Sequence, residues 1–350
     1  MDLHTSTVSL KSRAAMRHFV AGFLAMCLVA TVGAGASSAA SKTDCVVKRS
    51  GTSKTYTRLQ VAVRQAKPRS HLLVKGTCKG STVIGKNLTI RGKRSNRGKP
   101  ILDGKGKSRV LKIKPDAKVT IQNLTIRDGR TKAKPGGAVI NRGKLLLFAV
   151  IVRGSRTKGH GGGIYNEGNL QIRATSQVIR NKAKLGGGIY NEGVVRLDGT
   201  SRVDANVARD GGGVYNTGAL RLRELSRISR NRAEPTGSGG GVYNVGELTL
   251  RGNSTVRDNS ATLGGAIASV RGTVALGDDR RVKGNSAQSA GGVSSDAASS
   301  LTMSERSQIR ENSGLDVGGL HNLGTIVGVK CAPGTLANVI DNVPTDCLLQ

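Results

Sequence analysis

The sequence predicts an all-β protein, a parallel β-solenoid with a short capping helix at its N-terminal end. Three observations carry that expectation. First, Gly161-Gly-Gly-Ile-Tyr-Asn166 recurs as Gly186–Asn191, Gly211–Asn216 and Gly239–Asn244, at spacings of 25, 25 and 28 residues. The longer interval fits an insertion around Pro235-Thr-Gly237, and degenerate copies begin at Gly136, Gly264, Gly291 and Gly318. Second, each repeat carries two further apolar alternations. One runs through Leu170/Ile172, Val195/Leu197, Leu220/Leu222, Leu248/Leu250, Val274/Leu276 and Leu301/Met303; the other centres on Val178, Val203, Ile228, Val256, Val282 and Ile309. Alternation at i, i+2 is the strand period, because successive side chains point to opposite faces. Third, an Asn follows each central residue three positions on: Asn181, Asn206, Asn231, Asn259, Asn285 and Asn312. One repeat therefore holds three short strands separated by Gly and Asn turns, with no room for a helix. A leucine-rich repeat is excluded because its leucine spacing is missing and Gly-Gly-Gly stands where its helix would run; a propeller blade of about 40 residues is too long.

In chain order, residues 1–40 read as a secretory signal peptide. Lys11, Arg13 and Arg17 precede an apolar run from Phe19 to Val32, and Ala36-Ser-Ser-Ala-Ala40 offers a small-residue cleavage site. The apolar run falls short of the roughly 20 residues a spanning helix needs. Leu24-Ala-Met-Cys27 loosely resembles a lipoprotein signal, but Met26 fits poorly beside the Cys. Residues 41–80 form the N-terminal cap: Tyr56–Ala66 has a helical pattern with Leu59, Val63 and Ala66 on one side, and a first strand ends at Cys78. A helix there would cover strand edges and core that an open solenoid end exposes. Residues 81–330 are the coils, less regular before residue 136. With one coil per repeat, equivalent positions stack about 4.8 Å apart. Ile164, Ile189 and Val214 become a core ladder, and Asn181, Asn206 and Asn231 a hydrogen-bonded turn ladder.

Residues 331–350 read as a C-terminal cap closed by a disulfide. Removing residues 1–40 leaves four cysteines, in two pairs at opposite ends of the remaining chain. Four cysteines allow three pairings, but Cys45–Cys78 and Cys331–Cys347 each close a local loop, and an even count is usual for exported chains. A metal site is the rival reading and lacks CxxC or HxxxH spacing. No metal and no cofactor is expected.

The order of helix, His71-Leu-Leu-Val-Lys-Gly-Thr-Cys78 and Lys86-Asn-Leu-Thr-Ile-Arg-Gly92 resembles exported right-handed parallel β-helix proteins of the pectin-lyase-like superfamily. The Gly-Gly-Gly-Ile-Tyr-Asn coils are similar to the repeats of polymorphic outer-membrane-protein-like and adhesin-like members. The likeness covers about residues 45–350 and implies a right-handed coil. It is specific for fold and weak for activity, since this fold hosts lyases, hydrolases and adhesins. No membrane β-barrel follows the repeats, as one does in the outer-membrane members, so no stable membrane insertion is expected after signal removal. Lyases of the superfamily use an acidic calcium cluster with a basic residue; its galacturonases use clustered Asp residues with a Gly-His-Gly element. Gly159-His160-Gly161 matches that last element alone, without a supporting Asp motif, so His160 reads as a turn residue.

Two outward features are the candidates for function. Tyr165, Tyr190, Tyr215 and Tyr243 would stack as an aromatic ladder, read either as packing between coils or as a platform for sugars. Beside them Glu167 and Glu192 would lie roughly 5 Å apart, near the carboxyl separation of retaining glycosidases. The next equivalents are Thr217 and Val245, so the pattern continues where the acid does not. The second feature is charge. The chain carries 55 Lys and Arg against 22 Asp and Glu, for a net +33. Residues 42–135 hold 26 basic against four acidic residues, among them Arg94, Arg97 and Lys99. Farther on, Arg196 and Arg221 should stack outward, as should Arg202 and Arg227. Like charges at that separation repel unless a polyanion or counterions intervene; the plainer reading is solubility and protected edges.

These features predict a secreted, extracellular or cell-surface protein, non-enzymatic and adhesin-like, whose partner is an anionic polysaccharide or envelope polymer. The rival is a carbohydrate-active enzyme of the same superfamily, a polysaccharide lyase or glycoside hydrolase. Nucleic acid is disfavoured by export, scarce aromatics and the lack of a recognition motif.

Overall fold

Each coil is built by alternating burial. Ile164–Asn166, Asn169–Arg173 and Gln177–Ile179 are the three strands of one coil, and Ile164, Leu170, Ile172 and Val178 are all fully buried. The computed structural model describes residues 45–96, 98–277, 279–329, 339–340 and 347–349. The signal-peptide reading of residues 1–40, Arg97, and Cys331 of the expected second disulfide lie outside the described residues.

The three strands of successive coils line up as three sheets of 13, 11 and 11 strands. We call them the leucine sheet (Asn169–Arg173 and equivalents), the valine sheet (Gln177–Ile179) and the tyrosine sheet (Ile164–Asn166). Pairing between coils is parallel and in register: Ile164 with Ile189 with Val214, Leu170 with Val195 with Leu220, and Val178 with Val203 with Ile228. The parallel β-solenoid expected from the repeat is therefore the fold. The core is a column of stacked Ile, Leu and Val rows between the sheets.

The turns carry two asparagine ladders. Asn181 Nδ2 donates to Asn206 Oδ1 at 3.0 Å, and the same bond repeats from Asn206 to Asn231, Asn231 to Asn259, Asn259 to Asn285 and Asn285 to Asn312. A second ladder joins Asn141, Asn166, Asn191, Asn216 and Asn244 at 2.7–2.8 Å. The unusual dihedral in the first turn belongs to the residue before the Asn: Arg180, Ala205, Arg230, Asp258 and Glu311 all have φ near +50° to +60°. Such a conformation costs a non-Gly residue roughly 1–2 kcal/mol, which the Asn bonds offset.

The Gly-Gly-Gly corner is steric. Gly186 has φ +62°, and a Cβ on Gly187 would lie 2.4 Å from the Val207 carbonyl oxygen and 2.5 Å from that of Gly212. Beyond the three expected strands, several coils add a fourth short one after the Asn, at Val207–Ala208, Arg232–Ala233, Ser260–Leu263 and Ser286–Ser289. The chain leaving the Asn ladder stays in register for a few more residues, so it pairs as well.

At the N-terminal end the helix spans Leu59–Gln65, with Leu59, Ala62 and Val63 buried. It is shorter than the predicted Tyr56–Ala66, because Thr55–Tyr56 pairs antiparallel with Val47 and Lys48. Lys86 Nζ donates to the carbonyls of Ala66 and Arg64 at 2.9 and 3.3 Å, a favourable cation at a helix C-terminus. The Cys45–Cys78 disulfide is formed and ties the first strand region to the first coil.

Candidate functional site

Outward residues of the leucine sheet come from the odd positions of the alternation, and the register sorts them into rows. In one row Gln171, Arg196, Arg221, Thr249, Ala275 and Thr302 follow one another. In the next, Arg91, Gln122, Phe148 and Arg173 do so. Lys118 and Lys144 are direct partners in a third. Three shallow depressions lie along this face. Arg91, Lys93, Arg94, Lys99, Leu73 and Asn123 line one of about 490 Å³. Lys118, Lys144, Thr120, Leu146 and Gln171 border one of about 440 Å³. Arg196, Arg221, Arg223, Thr249 and Arg251 surround one of about 350 Å³. After Arg251 the face turns neutral, with Thr273, Ala275, Ser300, Thr302, Thr325 and Val327 outward.

The predicted residues Arg94, Lys99, Arg196 and Arg221 therefore share one face. Arg223, Arg251, Lys118 and Lys144 also belong to it and were not singled out from sequence. The signal was available: extending each Leu-x-Leu alternation by one residue reaches Arg223 and Arg251. Not every cation there is free. Lys99 Nζ donates to the Ala149 carbonyl at 2.7 Å, and burial together with the nearby Arg94 lowers its pKa. Arg221 lies 3.8 Å from Glu247, an ion pair largely in solvent. Asp198 pairs with Arg173 at 3.5 Å; burial raises its carboxyl pKa against the pull of Arg173 and Arg196. Arg202 and Arg227 stack as expected, on the valine sheet.

The tyrosines form the expected ladder. Tyr165, Tyr190, Tyr215 and Tyr243 stack with ring centroids 5.3, 5.0 and 4.8 Å apart and planes within 12° of parallel. His160 adds its ring against Tyr190 at 4.7 Å, so this turn residue joins the aromatic stack; burial is the main cause of its lowered pKa. The inner ring faces are thus occupied by neighbouring rings. A sugar stacks on a free aromatic face, and rows of ring edges offer little of one. Burial first, and then neighbouring acids and phenols, raise all four tyrosine pKa values, that of Tyr215 to about 12.

Glu167 and Glu192 point outward beside the ladder, each with a partner. Glu167 Oε2 accepts from Arg142 Nε at 2.7 Å. Glu192 Oε1 accepts from the Tyr165 hydroxyl at 2.6 Å. Each bond links adjacent coils, as the ladder itself does.

Among the described residues, no helix is long and apolar enough to cross a membrane. Comparison with known proteins returns no matching family model, no matching curated protein and no matching solved structure.

Proposed function

We propose that this chain is an exported, non-enzymatic, adhesin-like β-helix of the right-handed, pectin-lyase-like kind, which binds an anionic polysaccharide or envelope polymer along the outer face of its leucine sheet. The observation that carries the reading is the in-register pair Arg196 and Arg221, with Arg223 and Arg251 beside it. Stacked guanidinium groups repel each other across about 5 Å unless an anion lies between them. A solenoid holds such groups at constant spacing, so a flexible polyanion can meet several of them without ordering the protein. An enzymatic reading of Glu167 and Glu192 needs one carboxyl to give a proton and another to attack or activate water. Both are engaged in bonds between coils, which favours a packing role.

The test measures binding of heparin, teichoic acid and DNA at several salt concentrations. Attraction by counterion release gives a steep salt dependence; five contacts imply a loss of about 100- to 500-fold between 50 and 200 mM salt. Reversal of Arg196 and Arg221 to Glu should weaken binding far more than Tyr165→Ala or Tyr190→Ala. Salt-insensitive binding that is lost with the tyrosine changes would reject the proposal and favour sugar stacking. Cleavage of any member of a polysaccharide panel would reject its non-enzymatic part.

A further inference from the structure

The cationic face is not uniform, and one part of it is built differently. Around Arg91 and Lys93, basic residues are scattered over a depression whose lining includes Leu73. Farther along, four arginines border one depression with Thr249 between them. Arg196 and Arg221 are cross-strand partners, one coil apart. Arg223 and Arg251 each follow a buried leucine, Leu222 and Leu250, that pair with each other in the same way. With Asp198, which is paired to Arg173, and Thr249, the backbone positions thus form a small lattice, about 4.8 Å across coils and about 6.6 Å along a strand. The Nε of Arg196 is buried and has no acceptor in the protein. Closed to solvent, that nitrogen takes no acceptor from outside, so a ligand at this site is met by the terminal nitrogens of the guanidinium.

We propose that Arg196, Arg221, Arg223 and Arg251 form a clamp for sulfate or phosphate ester groups, which deepens the polyanion reading above by naming the class of polymer that it selects. A carboxylate offers two oxygens in one plane, and a single guanidinium fork fills them. An ester of sulfate or phosphate offers oxygens pointing in several directions. Forks approaching from two rows of a lattice can each find one, and the Thr249 hydroxyl can add another bond. Lysines in the same places would supply charge without the planar fork.

The experiment compares three polymers with the full chain at one salt concentration: heparin for sulfate esters, teichoic acid for phosphate esters and polygalacturonate for carboxylates. Inorganic sulfate is titrated alongside. The ester polymers should bind on the order of tenfold tighter than polygalacturonate, the difference that about 1.4 kcal/mol produces. The double variant R196K/R221K keeps the charge, and should lose that preference while retaining binding of all three polymers. A control pair, R91K/K93R, should retain the preference, and circular dichroism confirms that each variant is folded. Heparin and teichoic acid separate the two ester sources. If R196K/R221K keeps the wild-type preference, or if wild type shows none, the clamp is overturned while general polyanion binding stands. If no polymer binds but sulfate does, and R196K/R221K abolishes that binding, the polymer reading falls and the clamp stands. If neither polymer nor sulfate binds, both are overturned.

Discussion

Replacing Asn206 with Ala tests the asparagine ladder where its bookkeeping is most complete. The Asn206 side-chain oxygen accepts from the Asn181 backbone N–H at 2.9 Å and from Asn181 Nδ2 at 3.0 Å. Its amide donates to the Val178 carbonyl at 2.9 Å and to Asn231 Oδ1 at 3.0 Å. Truncation leaves the Asn181 N–H buried without that acceptor, a cost of about 1–3 kcal/mol, and removes three further bonds worth about 1 kcal/mol each. Some partners keep other bonds: Asn231 Oδ1 still accepts from the Asn206 N–H, and Asn181 Nδ2 from its side donates to Val152. Allowing for these and for relaxation, the expected loss is about 3–5 kcal/mol. Asn206→Asp should also destabilise, because a carboxylate cannot donate to Val178 or Asn231. The exposed neighbour Thr200→Ala should cost under about 0.5 kcal/mol. Urea unfolding followed by circular dichroism reads the difference from the midpoints, provided the slopes agree. A loss below about 1 kcal/mol for Asn206→Ala would refute the claim that the ladder holds adjacent coils together.

Three further outcomes follow from the same geometry. Gly187→Ala should destabilise strongly, by about 3 kcal/mol or more, since its Cβ meets backbone carbonyls of two neighbouring segments; Gly51→Ala, with φ +72° and open space around it, should cost only about 1 kcal/mol. Thermal melts of the two variants compare them directly. Loss of the Cys45–Cys78 bridge, 33 residues apart, should cost about 4 kcal/mol by loop entropy, measurable as a lower urea midpoint for Cys78→Ala. Finally, the tyrosine phenols titrate late: with Tyr215 raised to about 12 from 10, the unfolded chain ionises first. Stability should therefore be full below pH 10 and fall as the pH rises through 12, and ultraviolet titration of tyrosinate that shows every ladder phenol ionising near 10 would contradict this.

The fold was legible because one coil repeats and its inward rows obey a strand period. Ile164, Leu170 and Val178 could each be placed inward from alternation alone, and their register followed from the 25-residue spacing. The helix boundary was less legible. Tyr56 fits a helical pattern locally, but strand pairing with Val47 overrides it, and that partner is distant in neither sequence nor space. The tyrosine ladder was legible as a row, yet the engagement of its neighbours was not. Nothing in the spacing of Glu167 and Glu192 reveals that Arg142 reaches one from the preceding coil, or that the Tyr165 hydroxyl reaches the other. Those bonds depend on rotamers, which a period does not encode. Arg223 and Arg251 were missed for a simpler reason: they stand just past the strand ends, where the alternation was read as finished.

Solubility alone would explain a basic solenoid, but it does not explain where this one leaves its charges uncompensated. At several positions elsewhere the chain answers a cation with an acid from another part of the coil stack. Arg127 meets Asp103 at 2.8 Å, Arg142 meets Glu167 at 2.7 Å, Lys182 meets Glu234 at 2.7 Å and Arg230 meets Asp204 at 2.6 Å. Three of those four acids come from an adjacent coil, so the repeat can supply a carboxylate across coils, although Lys118 beside Lys144 and Arg202 beside Arg227 make no such ion pair among the described residues. Around Arg196, Arg221, Arg223 and Arg251 the acids do not match the cations in number. The nearby acids are Asp198, which is buried against Arg173 and also feels Arg196 and Arg223, Glu224, which accepts from the Gly199 N–H, and Glu247, which sits 3.8 Å from Arg221 and is mostly in water. Inward rows of a solenoid are constrained by every coil above and below, whereas outward rows can change one residue at a time without disturbing the stack. In the proposed reading, an external anion is what keeps these four arginines together on rows that are free to change one residue at a time.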